Sequence, residues 1–261
     1  MQPSIATLPT NPSRRQESMA PRSRDDQRRA LIRDQFVDLH ADFDRSRPSQ
    51  PLCEIVRRTV VSEIQARHHA TGRCVRVLEV GCGVGNWAEH LLDEADRNRV
   101  QMEYLGLDFA PPCVESCNRR IGNRAGSRAV VADFESLTPD PTFDIVFFVE
   151  VFCHLRSRQD DEWLRRARQW VAPGGSLIIV DKERHSRHGW RVRWDLFKRS
   201  IIPATWRGRG YYFPEKYNTL LTTLRYPHFR HLARAMERIG LDAQPIEKHG
   251  LFSAVVGRSE S

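Results

Sequence analysis

The sequence predicts an α/β protein built on a doubly wound, seven-stranded, mostly parallel sheet with an antiparallel last strand. Three observations predict it. From Val75 to Val180, short apolar runs of strand length alternate with amphipathic helical stretches, which is the βαβ order of a parallel sheet. The first run, Val75 to Val80, breaks at Gly81, Gly83 and Gly85 and turns into a helical pattern carrying Trp87, Ala88, Leu91, Leu92 and Ala95. The strongest run, Phe143 to Val149, is nearly continuous in apolar residues, as in a central strand covered on both faces. A chain of 261 residues, 40% hydrophobic and 28% charged, is long enough for one large core. No apolar run approaches the ~20 residues of a membrane span. None of the six cysteines forms a CxxC pair, so they read as buried, reduced thiols of a cytoplasmic protein.

Residues 1–28 are rich in Pro, Ser, Arg and Gln without apolar periodicity, and are expected to be a disordered tail. They hold no apolar signal-peptide stretch. One domain is expected over 29–261. Residues 29–72 supply two N-terminal helices, Ala30 to Asp44 and Leu52 to His69, separated by Arg47-Pro48-Ser49-Gln50-Pro51. The second strand is expected over Met102 to Leu107, ending at Asp108, with a helix from about Pro111. The third is Arg128 to Ala132, followed by Asp133-Phe134. After the fourth strand comes Glu150-Val151-Phe152-Cys153-His154, then an amphipathic helix from Gln159 to Val171 that Pro173-Gly174-Gly175 ends. The fifth strand is Ser176 to Val180. A helix over Phe229 to Ile239 and a hairpin of Ala243 to Glu247 with Leu251 to Val256 complete the pattern.

The chemistry is expected at the carboxyl ends of these strands. Glycines at every second position let a polar ligand approach bare backbone beside a helix N-terminus. A G-x-G-x-x-G fingerprint would need glycine where Asn86 stands. Glu79-x-Gly81-x-Gly83-x-Gly85 instead resembles motif I of the class I S-adenosylmethionine-dependent methyltransferases. Asp108 stands about 20 residues on, where a carboxylate can accept both hydroxyls of a ribose. An Asp there can equally cap the next helix. Asp133-Phe134 matches the family's adenine-side pair, and Val171-Ala172-Pro173-Gly174-Gly175 with the strand after it matches further. The resemblance covers about Val75 to Arg184. It implies a Rossmann-like fold with S-adenosylmethionine bound by Glu79, Gly81, Cys82, Gly83, Gly85, Trp87, Asp108, Phe109, Asp133, Phe134 and Glu150. Glu79 is expected to support the methionine end.

The Glu150 to His154 stretch resembles the fourth motif of polyprenyl-quinone O-methyltransferases. In some relatives two glutamates and the histidine hold a divalent cation. Here Cys153 replaces the second glutamate, which removes a hard ligand, so no metal is expected. His154 is the candidate catalytic base for a hydroxyl acceptor, since imidazole titrates near neutrality. A backbone hydrogen bond at a helix start is its other reading.

Charge is concentrated in 182–231, where twelve Lys and Arg face three acids; this accounts for the whole net charge of +8. Ten aromatics, among them Trp190, Trp206 and Tyr217, are interleaved with them. This segment reads as a lid inserted after the fifth strand, with Arg207, Arg209, Tyr211 and Tyr212 as acceptor-binding candidates. Its chemistry suits an anionic or membrane-associated small molecule. Two other functions compete. A basic aromatic segment can follow nucleic acid, but no N/D-P-P-Y/F motif ends the fourth strand and no RNA-binding module is visible. A catalytically inactive cofactor-binding module is the remaining reading.

Overall fold

The computed structural model describes residues 48–134, 142–154, 160–183 and 227–260, together with 34, 36, 37 and 44. The expected tail and the lid between 184 and 226, including Arg207, Arg209, Tyr211 and Tyr212, lie outside the described residues.

The expected second N-terminal helix forms as α1 (Gln50–Val56), a π-helical turn (Arg57–Val61) and α2 (Ser62–Thr71). Its apolar side, with Leu52, Ile55, Val56, Val60 and Ile64, is buried against the sheet. Arg67 fixes it there, donating to Asp144 at 2.8 Å and to the Pro173 carbonyl at 3.0 Å.

The sheet follows as β1 (Val75–Val80), β2 (Met102–Asp108), β3 (Arg128–Val131), β4 (Phe143–Val149) and β5 (Val171–Lys182). The connecting helices are α3 (Asn86–Asn98), α4 (Pro111–Ile121) and α5 (Asp160–Gln169). Then come α6 (Phe229–Arg238), β6 (Leu241–Ala243), β7 (Glu247–His249) and β8 (Phe252–Ser259). The strand order is β3-β2-β1-β4-β5-β8-β6, with β7 also paired to β8. The first five strands are parallel, and β8 runs antiparallel to β5. This is the expected doubly wound architecture, with eight strands among the described residues where seven were expected.

The extra strand has a local cause. Pro245 lacks an amide donor and cannot continue a ladder. The strand expected over Ala243 to Glu247 is therefore split into β6 and β7, both paired with β8. The fifth strand is longer than expected because Val171 already pairs with Phe143, with a register shift between Phe143 and Ile145.

Each face of the sheet carries its own core. Trp87, Leu91, Ile55 and Ile178 belong to one, and Leu78, Phe148, Trp170, Phe229 and Met236 to the other. Both neighbours of β1 are parallel to it, β2 on one side and β4 on the other. The strand order therefore reverses between β1 and β4, and this switch point is where open α/β sheets bind ligands.

Candidate active site

The loop after β1 is held by its neighbours on β2. The Gly81 and Cys82 amides donate to the Leu107 carbonyl at 2.7 and 2.9 Å. The Gly83 amide donates to Asp108 Oδ2 at 2.9 Å, while Oδ1 accepts the Ala110 amide at 2.9 Å. Burial raises the Asp108 carboxyl, and the amides of Ala110, Gly83 and Phe109 pull it back down. Asp108 thus joins the glycine loop to the start of α4. A carboxylate offers about four acceptor positions, so these amides do not fill it.

Two glycines in this loop have opposite surroundings. Gly85 has φ +85° and ends the loop at the start of α3; a Cβ there would lie 2.7 Å from the Cys117 Cα. The close approach of α4 requires glycine. Gly83, at φ +50°, would point a Cβ into open space, with nothing within 4 Å. Open backbone beside an acid with spare acceptors, at a helix N-terminus, suits a ribose-bearing ligand.

Glu79 is placed away from that opening. Its side chain is 1% exposed and accepts the Tyr104 hydroxyl. Burial raises its carboxyl well above the usual range, and the Tyr104 bond opposes that. Glu79 braces the loop from beneath, where the methionine end was expected to reach it. Cys82 is buried beneath the loop as well, its thiol donating to the Gly83 carbonyl at 3.8 Å. The neighbouring Cys117 thiol, with burial, raises the Cys82 pKa well above that of a free thiol. Trp87 lies in the core beside Leu91, its ring edge-on to His90 at 5.9 Å.

Phe134 is also in the core, stacked on Trp163 at 5.8 Å and edge-on to Phe148 at 5.7 Å. Asp133 beside it is half-buried at the end of β3. Phe109 is half-buried, and the N-terminal segment reaches it through Phe36.

The turn after β4 forms the other wall. Glu150 takes a left-handed conformation, φ +56°, and its carboxylate pairs with Lys182. Phe152–His154 form one 3-10 turn, closed by the His154 amide donating to the Val151 carbonyl at 2.9 Å. His154 is half-buried.

Phe36 bridges the two walls. Its ring is edge-on to Phe109 at 5.9 Å and to His154 at 5.1 Å. With Val37 it packs on Val84, Ala110 and Cys113. Arg120 anchors the same segment, donating to the Asp44 carbonyl at 2.8 Å and carboxylate at 3.1 Å, and to Glu89 at 2.9 Å. Phe36 thus links Phe109, after β2, to His154, after β4, while Gly83 is bonded to Asp108 and the side chains of Glu79, Cys82, Trp87 and Phe134 are buried. Among the described residues, no three His, Cys, Asp or Glu side chains converge as a metal site.

Residues 78–177 match the family model of the methyltransferase domain. That stretch is similar to the methyltransferase domain, and the match spans less than half of the chain. A fatty-acid O-methyltransferase of Mycolicibacterium smegmatis is 38% identical over 107 residues, 41% of this chain and 36% of that protein. The demethylmenaquinone methyltransferase of Bacillus licheniformis is 27% identical over 167 residues, 63% of this chain and 69% of that one. Several curated relatives are matched over only 20–39% of their own length. The magnesium protoporphyrin IX methyltransferase of Synechocystis, solved with SAH bound, superposes with a TM-score of 0.61. It covers 89% of this chain and 100% of its own at 13% identity, a likeness of fold.

The motifs did not single out Phe36, whose ring packs on His154, or Lys182, which pairs with Glu150. Phe36 carries only the signal of one aromatic in an imperfect amphipathic helix. Lys182 was one of twelve cations, and its pairing with Glu150 depends on the β4–β5 register.

Among the described residues no helix is long and apolar enough to cross a membrane.

Proposed function

We propose that this chain transfers the methyl group of S-adenosylmethionine to an oxygen of a small-molecule acceptor. The observation that carries the reading is the open backbone at Gly83, bonded to Asp108 at the end of β2 beside the switch point. When bound, S-adenosylmethionine supplies an activated methyl on a sulfonium. The chain has to hold donor and acceptor in line and keep water out, and such positioning can supply on the order of 7–11 kcal/mol. Asp108 takes the ribose hydroxyls on the lone pairs that Gly83 and Ala110 leave. Glu79 and Tyr104 keep the loop beneath rigid. Phe36 closes the mouth between Phe109 and His154, and His154 takes the proton of a hydroxyl acceptor as the methyl moves.

Asp108→Ala weakens donor binding by roughly 1–3 kcal/mol, through lost ribose bonds and a released Gly83 amide. Titration calorimetry with S-adenosylmethionine and with S-adenosylhomocysteine checks this. A wild type that binds neither, or an Asp108→Ala protein that binds both equally well, contradicts the assignment.

The acceptor is proposed to be a small molecule with an anionic group and an apolar body. The name of the fatty-acid O-methyltransferase relative has that chemistry, and the cations and aromatics of 182–231 complement it. Replacing both Arg207 and Arg209 by Gln raises the acceptor KM while donor affinity holds. Acceptor kinetics left intact by that double substitution exclude these two cations from acceptor binding. The acceptor is found by incubating the protein with methyl-labelled donor and fractionated small-molecule extract, with RNA as the competing pool.

A further inference from the structure

Three successive residues at the end of β5 hold the turn that carries His154. The Val180 carbonyl accepts the Glu150 amide at 2.8 Å. Asp181 Oδ2 accepts the Cys153 amide at 2.8 Å. The Lys182 ammonium pairs with the Glu150 carboxylate and sits 5.4 Å from the centre of the Phe252 ring. Val180 contributes only backbone, and Lys182 holds the residue where the turn begins. The Asp181 bond is the one that reaches into the 3-10 turn itself.

Asp181 is costly to keep there. It is 0% exposed, between β4 and β8 at the end of an apolar strand, and a buried carboxylate is tolerated only when hydrogen-bonded. Its second oxygen accepts the Lys182 amide at 2.7 Å. The strand itself does not call for an acid: Ile178, Ile179 and Val180 before it are apolar and fully buried. The turn does call for an acceptor, because the Cys153 amide faces inward, away from water. The titratable and charged groups that face Asp181 are Glu150 and the neutral Cys153 thiol from the β4 side and Lys182 from its own strand. Its register partner on β8 is Ser253. Burial, then Glu150, push the Asp181 carboxyl up to about 7, against the pull of Lys182 and the two amides.

We propose that Asp181 is a positioning residue for His154: by holding the Cys153 amide, it fixes the turn that aims the imidazole at the acceptor. This rests on the reading of His154 as the base. Protonation of Asp181 weakens the acceptor that holds the turn, so the turn is held most firmly above neutrality. That is also where imidazole is free to take a proton.

The test uses the full-length protein, amide exchange at Cys153 and steady-state kinetics with the identified acceptor. Asp181→Ala speeds Cys153 exchange about tenfold or more and lowers kcat about 10–100-fold, while S-adenosylmethionine affinity stays at the wild-type value. Asp181→Asn keeps a carbonyl oxygen for the Cys153 amide, so it restores most of the protection and much of kcat. It also removes a titration from the Cys153 amide shift between pH 5 and 9, and His154→Ala leaves that titration in place. Should Asp181→Ala not fold, the Asn variant and this titration carry the test.

Wild-type Cys153 exchange in Asp181→Ala overturns the proposal. So does a Cys153 titration that survives in Asp181→Asn, or a kcat loss that tracks lost donor affinity. A His154→Ala protein with normal kcat and a normally protected Cys153 amide overturns the base reading instead, since the hold on the turn is measured without reference to the reaction.

Discussion

His154→Ala lowers kcat on a hydroxyl acceptor by about 10²–10⁴-fold, the usual contribution of a positioned general base, and leaves S-adenosylmethionine affinity nearly unchanged. The separation follows from the layout of the site. His154 stands on the turn after β4, held by β5, while Gly83 and Asp108 belong to the β1–β2 side. The two walls meet through Phe36, whose ring touches His154 and Phe109. Truncating the imidazole removes one face of that ring contact, but none of the hydrogen bonds around Gly83. The wild-type rate also falls on the acid side as the imidazole takes a proton, because a protonated base cannot accept one. The measurement also reports acceptor type. A carboxylate acceptor already carries its nucleophilic charge and needs no base, so normal kcat in His154→Ala excludes base catalysis by this residue. Stopped-flow or single-turnover rates at saturating donor make the comparison clean, since product release then does not mask the chemical step.

The sheet was legible because its strands are apolar runs of the right length, separated by glycine, proline and amphipathic stretches. What the sequence does not display is pairing between distant residues. Glu79 pairs in register with Gly106, and Val77 with Tyr104. Glu79 and Tyr104 therefore share one face of the sheet, and the acid is taken up by the tyrosine. No local pattern announces that register. Phe134 follows a strand end as expected, but its stacking partner is Trp163 on α5, so burial in the core claims the ring. The same holds for Asp181: an acid ending a strand was visible, while its bond to the Cys153 amide needs β4 and β5 side by side. Pro245 did signal a break, and reading it as such would have divided the C-terminal strand correctly.

Gly85→Ala and Gly83→Ala should separate the glycine that builds the loop from the glycine that meets the ligand. Both positions have positive φ, and a left-handed non-glycine residue costs roughly 1–2 kcal/mol. At Gly85 the added methyl also stands 2.7 Å from the Cys117 Cα and 2.8 Å from its sulfur. Backbone on α4 would have to retreat, and overpacking of that kind costs about 1–3 kcal/mol more. Gly85→Ala is therefore destabilised by about 2–5 kcal/mol in denaturant melts, and its donor binding declines because the loop is displaced. At Gly83 the methyl meets no protein atom within 4 Å, so only the conformational cost applies and the melting curve moves little. If that open space is where the donor lies, the methyl occupies it. Donor affinity then falls by about tenfold or more in a protein that remains well folded, the effect of one displaced close contact and one misplaced amide. Equal affinities for wild type and Gly83→Ala would place the donor elsewhere than over Gly83. A Gly83→Ala protein as unstable as Gly85→Ala would mean that the loop packs where the structure shows space.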